Sequence, residues 1–184
     1  SKGRSCRPNA STPLTARVYL WRFSFTRQHT TAEIMRTLFL GDVMGRAGRN
    51  AITTRLSDLR TRLKVDFCVV NAENASSGVG LSGAHAKTLL DAGVDCLTLG
   101  DHAFDQKDML SFIESEPRIL RPLNFAKQAP GRGHRLFTDA RGRKILVLQV
   151  LGQVFMKRAF DDPFSAVDAV LRSHPLGGQA QMIL

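Results

Sequence analysis

A chain of 184 residues with 43% hydrophobic content is long enough to bury one sizeable core. No run approaches the ~18 consecutive apolar residues of a membrane span, and the three cysteines, Cys6, Cys68 and Cys96, make no disulfide framework. The formal charge of +10 is uneven: residues 1–34 hold six Lys/Arg against one acid, so a fifth of the chain carries half of the net charge.

In chain order, residues 1–34 come first and read as a basic arm without a fold of its own. Three interpretations stay open: sequence upstream of the folded part, a disordered arm holding nucleic-acid phosphates, or an Arg- and Ser-rich targeting segment. The regular pattern begins at Met35, and residues 35–184 are expected to form one partial domain. Residues 36–41, a short apolar run ending in Gly41, predict a buried strand. A helix is expected over 48–64, with Ile52, Leu56, Leu59 and Leu63 on one face. Residues 66–71 predict a second strand. A helix over 82–92 follows, opened by Ser82 as its cap and closed by Gly93. Residues 95–100 predict a third strand and residues 106–114 a third helix. Cys68 and Cys96 fall inside the strand runs, where a buried thiol in a reducing cytoplasm is the expected state.

Strand and helix alternating at this spacing imply right-handed βαβ units and a parallel sheet, hence an α/β fold. Beyond Pro117 the pattern changes. Residues 120–125 read as a short extended piece, and residues 135–140 and 144–150 flank the turn Arg141-Gly142-Arg143 as a hairpin. Asp162-Pro163 opens a last helix through Arg172, and Met182-Ile-Leu184 resembles the start of a further strand.

Three loops share one topological position, the carboxyl end of a parallel strand, where open α/β sheets place their ligands. The first carries Gly41-Asp42, the second Asn71-Ala-Glu73-Asn74, and the third Gly100-Asp101-His102. Because neighbouring strands lie about 5 Å apart, these side chains can converge on one or two cations. Carboxylates, an amide oxygen and an imidazole suit Mn, Fe or Zn better than Ca or Mg. Taken singly, each residue has a plainer reading: Asp42 as a turn residue, Asn71 and Asn74 as Asx turns, His102 as a solvated loop histidine. Three acidic loops in register after three successive strands favour the joint reading.

The segments Gly41-Asp-Val-Met-Gly-Arg46, Asn71-Ala-Glu-Asn-Ala75 and Leu99-Gly-Asp-His-Ala-Phe-Asp105 resemble the YmdB-like metallophosphoesterases, a branch of the calcineurin-like superfamily. Arg121-Pro122, Pro130-Gly-Arg-Gly133 and Asp161-Asp-Pro-Phe164 extend the resemblance, which runs from Met35 to about Gln181. It implies the N-terminal βαβαβ portion of a calcineurin-like α/β sandwich, with later strands missing. It further implies two divalent or transition-metal ions (Fe, Mn or Zn) and a phosphodiester substrate, with 2′,3′-cyclic nucleotides or RNA-derived ends as the class. Carried over by residue, Asp42 would hold one metal, Glu73 would bridge both, Asn74 would lie beside metal or phosphate, and Asp101 would hold the second metal. His102 would donate to the phosphate or protonate the leaving oxygen, a role suited to its near-neutral pKa.

Two departures stand out. The family pattern reads Gly-Asn-His where this chain has Gly100-Asp101-His102, a change that adds negative charge; it should tighten cations and repel an anionic phosphate. The family also carries further histidine ligands on later strands, and this chain ends at Leu184 before either segment. A partly assembled site, and inactivity of the chain as given, is therefore an expectation. Of the other histidines, His29, His85, His134 and His174, none ends a parallel strand.

Other readings compete. Gly78-Val-Gly-Leu-Ser-Gly83 fits a dinucleotide-binding letter pattern but lies too far beyond its strand. The basic residues Arg132, Arg135, Arg141, Arg143 and Lys144, with the arm, suggest a nucleic-acid-binding module without catalysis, although aromatic content is only 7%. An unpaired sheet edge would also favour association into a homo-oligomer.

Overall fold

The computed structural model describes residues 17–24, 34–156 and 158–184. Its first sheet contains β1 (Arg17–Ser24), β2 (Ile34–Gly41), β3 (Phe67–Asn71), β4 (Cys96–Thr98) and β5 (Ile119–Leu120), in that spatial order. The steps β2 to β3, β3 to β4 and β4 to β5 are parallel, as βαβ alternation predicts, and the crossovers carry α1 (Gly45–Leu63), α2 (Gly83–Asp91) and α3 (Met109–Ser115). A second sheet follows, with β6 (His134–Thr138) and β7 (Lys144–Leu148) antiparallel and β8 (Met182–Ile183) parallel to β7. The last helix, α4 (Pro163–Ser173), lies between β7 and β8 in the chain.

The packing follows from strand alternation. On one face of the first sheet, Leu38, Leu40, Cys68, Val70 and Leu97 meet Ile52 and Leu56 of α1, Leu89 of α2 and Ile113 of α3. On the other, Met35, Phe67, Val69 and Cys96 pack against Phe137, Ile145, Val147 and Met182 of the second sheet. The outer face of that sheet buries Leu146 against Val170 of α4. Helix, sheet, sheet and helix therefore stack as a sandwich, each fully buried leucine contributing about 2 kcal/mol. Within this stack Cys68 and Cys96 are free and buried, and desolvation pushes the Cys68 thiol up to about 12, as expected of packing residues.

Boundaries differ from expectation for identifiable reasons. Asp66 and Asp95, expected as first strand residues, instead bond the preceding strand. Asp66 Oδ2 accepts from the Arg36 N–H (2.8 Å), and Asp95 Oδ2 from the Cys68 N–H (2.7 Å). The first helix begins at Gly45, three residues earlier than expected; Gly48 could hold no Cβ, which would lie 2.9 Å from Val43 Cγ1. The third helix begins only at Met109, since Gln106 still serves the loops, donating from Nε2 to Val79 O (2.8 Å). Of the extended piece over 120–125, only Leu120 is strand. Ser82 and Asp162 cap their helices as expected, accepting from the His85 and Ser165 N–H groups.

The sequence predicts no element before Met35, yet residues 17–24 form β1, antiparallel to β2 with Arg17 opposite Gly41. Charge dominates the composition of this arm and obscures Val18-Tyr-Leu-Trp21, a run of β-favouring residues. The rest of the arm, residues 1–16 and 25–33, lies outside the described residues, as does Cys6.

One ionic cluster ties the second sheet to the first. Arg143, 8% exposed, pairs with Asp139 on its own hairpin and with Asp66 (3.0 Å) at the entry to β3. Burial alone would raise the Asp139 pKa, but hydrogen bonds from the Arg143 side chain and from the Arg143 and Arg141 N–H groups hold it below the usual carboxylate range. Asp139→Ala leaves the buried Arg143 guanidinium with Asp66 alone and should cost about 2 kcal/mol in chemical denaturation. Because the folded pKa is depressed, the contribution is complete above the unfolded value of about 4 and is lost as pH falls through the folded one. The gap between wild type and D139A should therefore narrow in acid; a constant gap from pH 7 to pH 2 would show that ionisation plays no part.

Candidate metal centre

The candidate residues sit where β2, β3 and β4 end. Asp42 turns the chain out of β2 with φ +47, a left-handed conformation that Asp tolerates better than most residues. The turn is tied to the next loop: the Val43 N–H donates to Asn71 O (3.0 Å) and the Gly45 N–H to Asn74 O (2.9 Å). Asn74 Nδ2 donates to Asp42 Oδ1 (2.8 Å). On the far side the Ala72 N–H donates to Thr98 O (2.9 Å), and the His102 N–H to Glu73 Oε1 (3.2 Å). Backbone hydrogen bonds thus stitch three loops that lie far apart in sequence.

A cleft of about 440 Å³ opens between them, lined by Phe39, Gly41, Asp42, Asn71, Glu73, Asn74, Asp101 and His102. All five sequence-predicted site residues line it, in two groups. Ligand atoms of Glu73, Asp101 and His102 lie within 4.8 Å of one another. Asp42 stands outside that trio, paired with the Asn74 amide.

Glycine at position 100 makes the trio possible. A Cβ there would fall 1.8 Å from Glu73 Oε2, so the carboxylate occupies the space of the missing side chain. Half buried in this position, Glu73 is pushed up to about 7, first by desolvation and then by a hydrogen bond shared with Asp101. That bond holds Asp101 below the usual carboxylate range, assisted by the positive charges of His102 and Arg158. Two carboxylates this close form a donor set that a cation would satisfy.

His102 Nδ1 lies 2.6 Å from Asp105 Oδ2, and this bond raises the pKa of the imidazole. With Nδ1–H donated to Asp105, Nε2 is left for solvent or ligand. Asp105 is absent from the sequence-based site, although its spacing three residues after His102 could have signalled a turn contact. Asn71 carries out the Asx role expected of it, accepting from the Glu73 N–H (3.3 Å), and lines the cleft as well. Phe39 could not be found from sequence, because nothing in a strand marks which residue borders a cleft.

The remaining candidates are placed elsewhere. His85 bonds Ser76 Oγ through Nδ1 (2.7 Å) behind the Glu73 loop, and His134 meets His174 edge to face, with ring centroids 5.5 Å apart. Gly80 and Gly83 of the dinucleotide-like pattern are packing residues, pressed against Gln106 and Phe112. The basic cluster is partly internal: Arg143 is paired, and Arg135 lies over the Phe137 ring at 5.6 Å. A smaller hollow of about 280 Å³, lined by Ile34, Arg36, Lys64, Asp66 and Arg141, contains both signs of charge. No helix of the described residues is long and apolar enough to cross a membrane.

Comparison with known proteins shows the family. The family model described as YmdB-like protein matches residues 38–184. A 2′,3′-cyclic-nucleotide 2′-phosphodiesterase of Bacillus subtilis is 36% identical over 137 residues, covering 74% of this chain and 51% of that protein. Among solved structures, a hypothetical protein from Thermus thermophilus superposes with a TM-score of 0.70 at 41% identity, over 75% of this chain and 53% of the other. A novel phosphatase of Mycoplasma pneumoniae gives 0.69 at 34% identity, over 76% and 51%. The chain thus spans about half the length of the relatives it matches. With a family model covering most of its length and a relative above one-third identity, the chain belongs to the YmdB-like family.

Proposed function

We propose that this chain carries part of the site of a metal-dependent phosphodiesterase, with 2′,3′-cyclic nucleotides as the substrate class. The observation that carries the reading is the convergence of Glu73, Asp101 and His102, with Asp42 and Asn74 on the same cleft wall. The substrate class is supported by the name of the Bacillus subtilis relative. A further support is the donor chemistry, which fits a transition-metal ion of the Mn, Fe or Zn kind.

In this reading Asp42, Glu73 and Asp101 would hold the cations and Asn74 would border the phosphate. The chemistry that bound cations would supply there is polarisation of a phosphodiester and a lowered pKa for water. His102 supplies the leaving ribose oxygen with its Nε2 proton, while Asp105 holds the opposite ring nitrogen and stabilises the imidazolium before transfer. The cleft is open and polar-walled, so substrate reaches it without displacing a core element.

The assignment is tested by measuring metal content and cyclic-nucleotide hydrolysis together. Asp42→Ala and Glu73→Ala should each lower bound Mn²⁺ in this chain and, in a version extended to the relatives' length, reduce hydrolysis at least a hundredfold; retained metal and activity in both would remove these residues from the site. Gly100→Ala is the sharper probe, because it alters no ligand. Its methyl would evict the Glu73 carboxylate, so metal affinity should fall at least tenfold with little change in the melting temperature. Unaltered affinity would show that Glu73 need not rest on residue 100.

A further inference from the structure

The loop that carries Glu73 and Asn74 is gripped from behind by the two helices beside it. Two successive carbonyls of the loop, those of Asn74 and Ala75, accept from the N-terminal end of α1. The Gly45 N–H donates to Asn74 O (2.9 Å). Arg49, four residues on and therefore on the same side of the helix, donates from Nη1 to Ala75 O. From α2, His85 Nδ1 meets Ser76 Oγ (2.7 Å), which also accepts from the Ser82 N–H (2.8 Å).

The bond from Arg49 differs in kind from a surface contact. Ala75 is 0% exposed, so its carbonyl has no access to water, and among the described residues no other group donates to it. A buried acceptor of this sort requires a partner. The same bond joins two loops that carry candidate ligands. On one side α1 begins at Gly45, three residues after Asp42; on the other, Ala75 follows Asn74 and lies two residues after Glu73. Arg49 itself is not among the residues that line the cleft.

We propose that Arg49 is a positioning residue for the cation site, setting the spacing between Asp42 and the Glu73–Asn74 pair through Ala75. The inference rests on the reading of the cleft as a cation site and deepens it, by naming a group outside the cleft on which metal affinity depends. Arg49 touches neither cation nor substrate; it acts through the backbone of the loop. The sign of its effect separates this role from electrostatics. Loss of a positive charge near an acidic cleft would by itself strengthen cation binding, whereas loss of the tie weakens it.

The test uses the full 184-residue chain and measures Mn²⁺ binding by electron paramagnetic resonance, at a temperature where circular dichroism shows each variant folded. Arg49→Met, which keeps the aliphatic stem and removes the donor, should weaken Mn²⁺ binding about tenfold. Arg49→Lys, which restores a donor, should recover most of the loss. Arg46→Met, which removes an exposed cation from the same end of the helix, should leave the affinity unchanged or raise it. Unaltered or stronger binding in R49M overturns the proposal. So does an R49K variant as weak as R49M, or an equal loss in R46M. Because His85 still holds Ser76, R49M should fold. If it does not, hydrogen exchange of the Arg49 guanidinium in the wild type decides: diamagnetic Zn²⁺ should slow it, and an unchanged rate overturns the proposal. Absence of Mn²⁺ binding by wild type defeats the cation reading of the cleft, and the positioning role with it.

Discussion

The Glu73 carboxylate rests on Gly100, and the arrangement of the cleft depends on that contact. Parallel strands about 5 Å apart bring β3 and β4 close enough for a side chain after one to lie over the backbone after the other. Only a residue without a Cβ at position 100 leaves room for it. Once there, Glu73 accepts from the His102 N–H and faces Asp101, so a single steric allowance sets the relative positions of three site residues. The sheet supplies proximity, and the glycine turns proximity into contact.

Electrostatics then shape what the cleft can hold. The chain carries +10 overall, yet the ends of β2, β3 and β4 concentrate carboxylates. Without compensation they repel, and burial beside Asp101 raises the pKa of Glu73. Aspartate at 101 deepens the negative field and favours cations over anions.

Much of this was legible in the sequence because the patterns are local. The apolar run ending at Gly41, the Leu/Ile face of α1, the Ser82 cap and the Gly142 hairpin all depend on neighbours a few residues away. The acidic loops were visible because one type of residue recurred after each strand. What escaped depends on contacts distant in sequence. Asp66 and Asp95 look like strand starts but serve as acceptors for a neighbouring strand. Arg143 looks like a solvated charge, yet its partner Asp66 lies 77 positions earlier. The β-favouring run in β1 was hidden by the charge around it. Asp105 and the tie from Arg49 required side-chain geometry that no periodicity carries.

The central claim is that the three loop tips form a cation site, and a crystal of this chain soaked in Mn²⁺ tests it most directly. The account predicts an anomalous difference peak within coordination distance of Glu73 and Asp101. A cleft without a peak at millimolar Mn²⁺, in a crystal form that leaves it open to solvent, would contradict it.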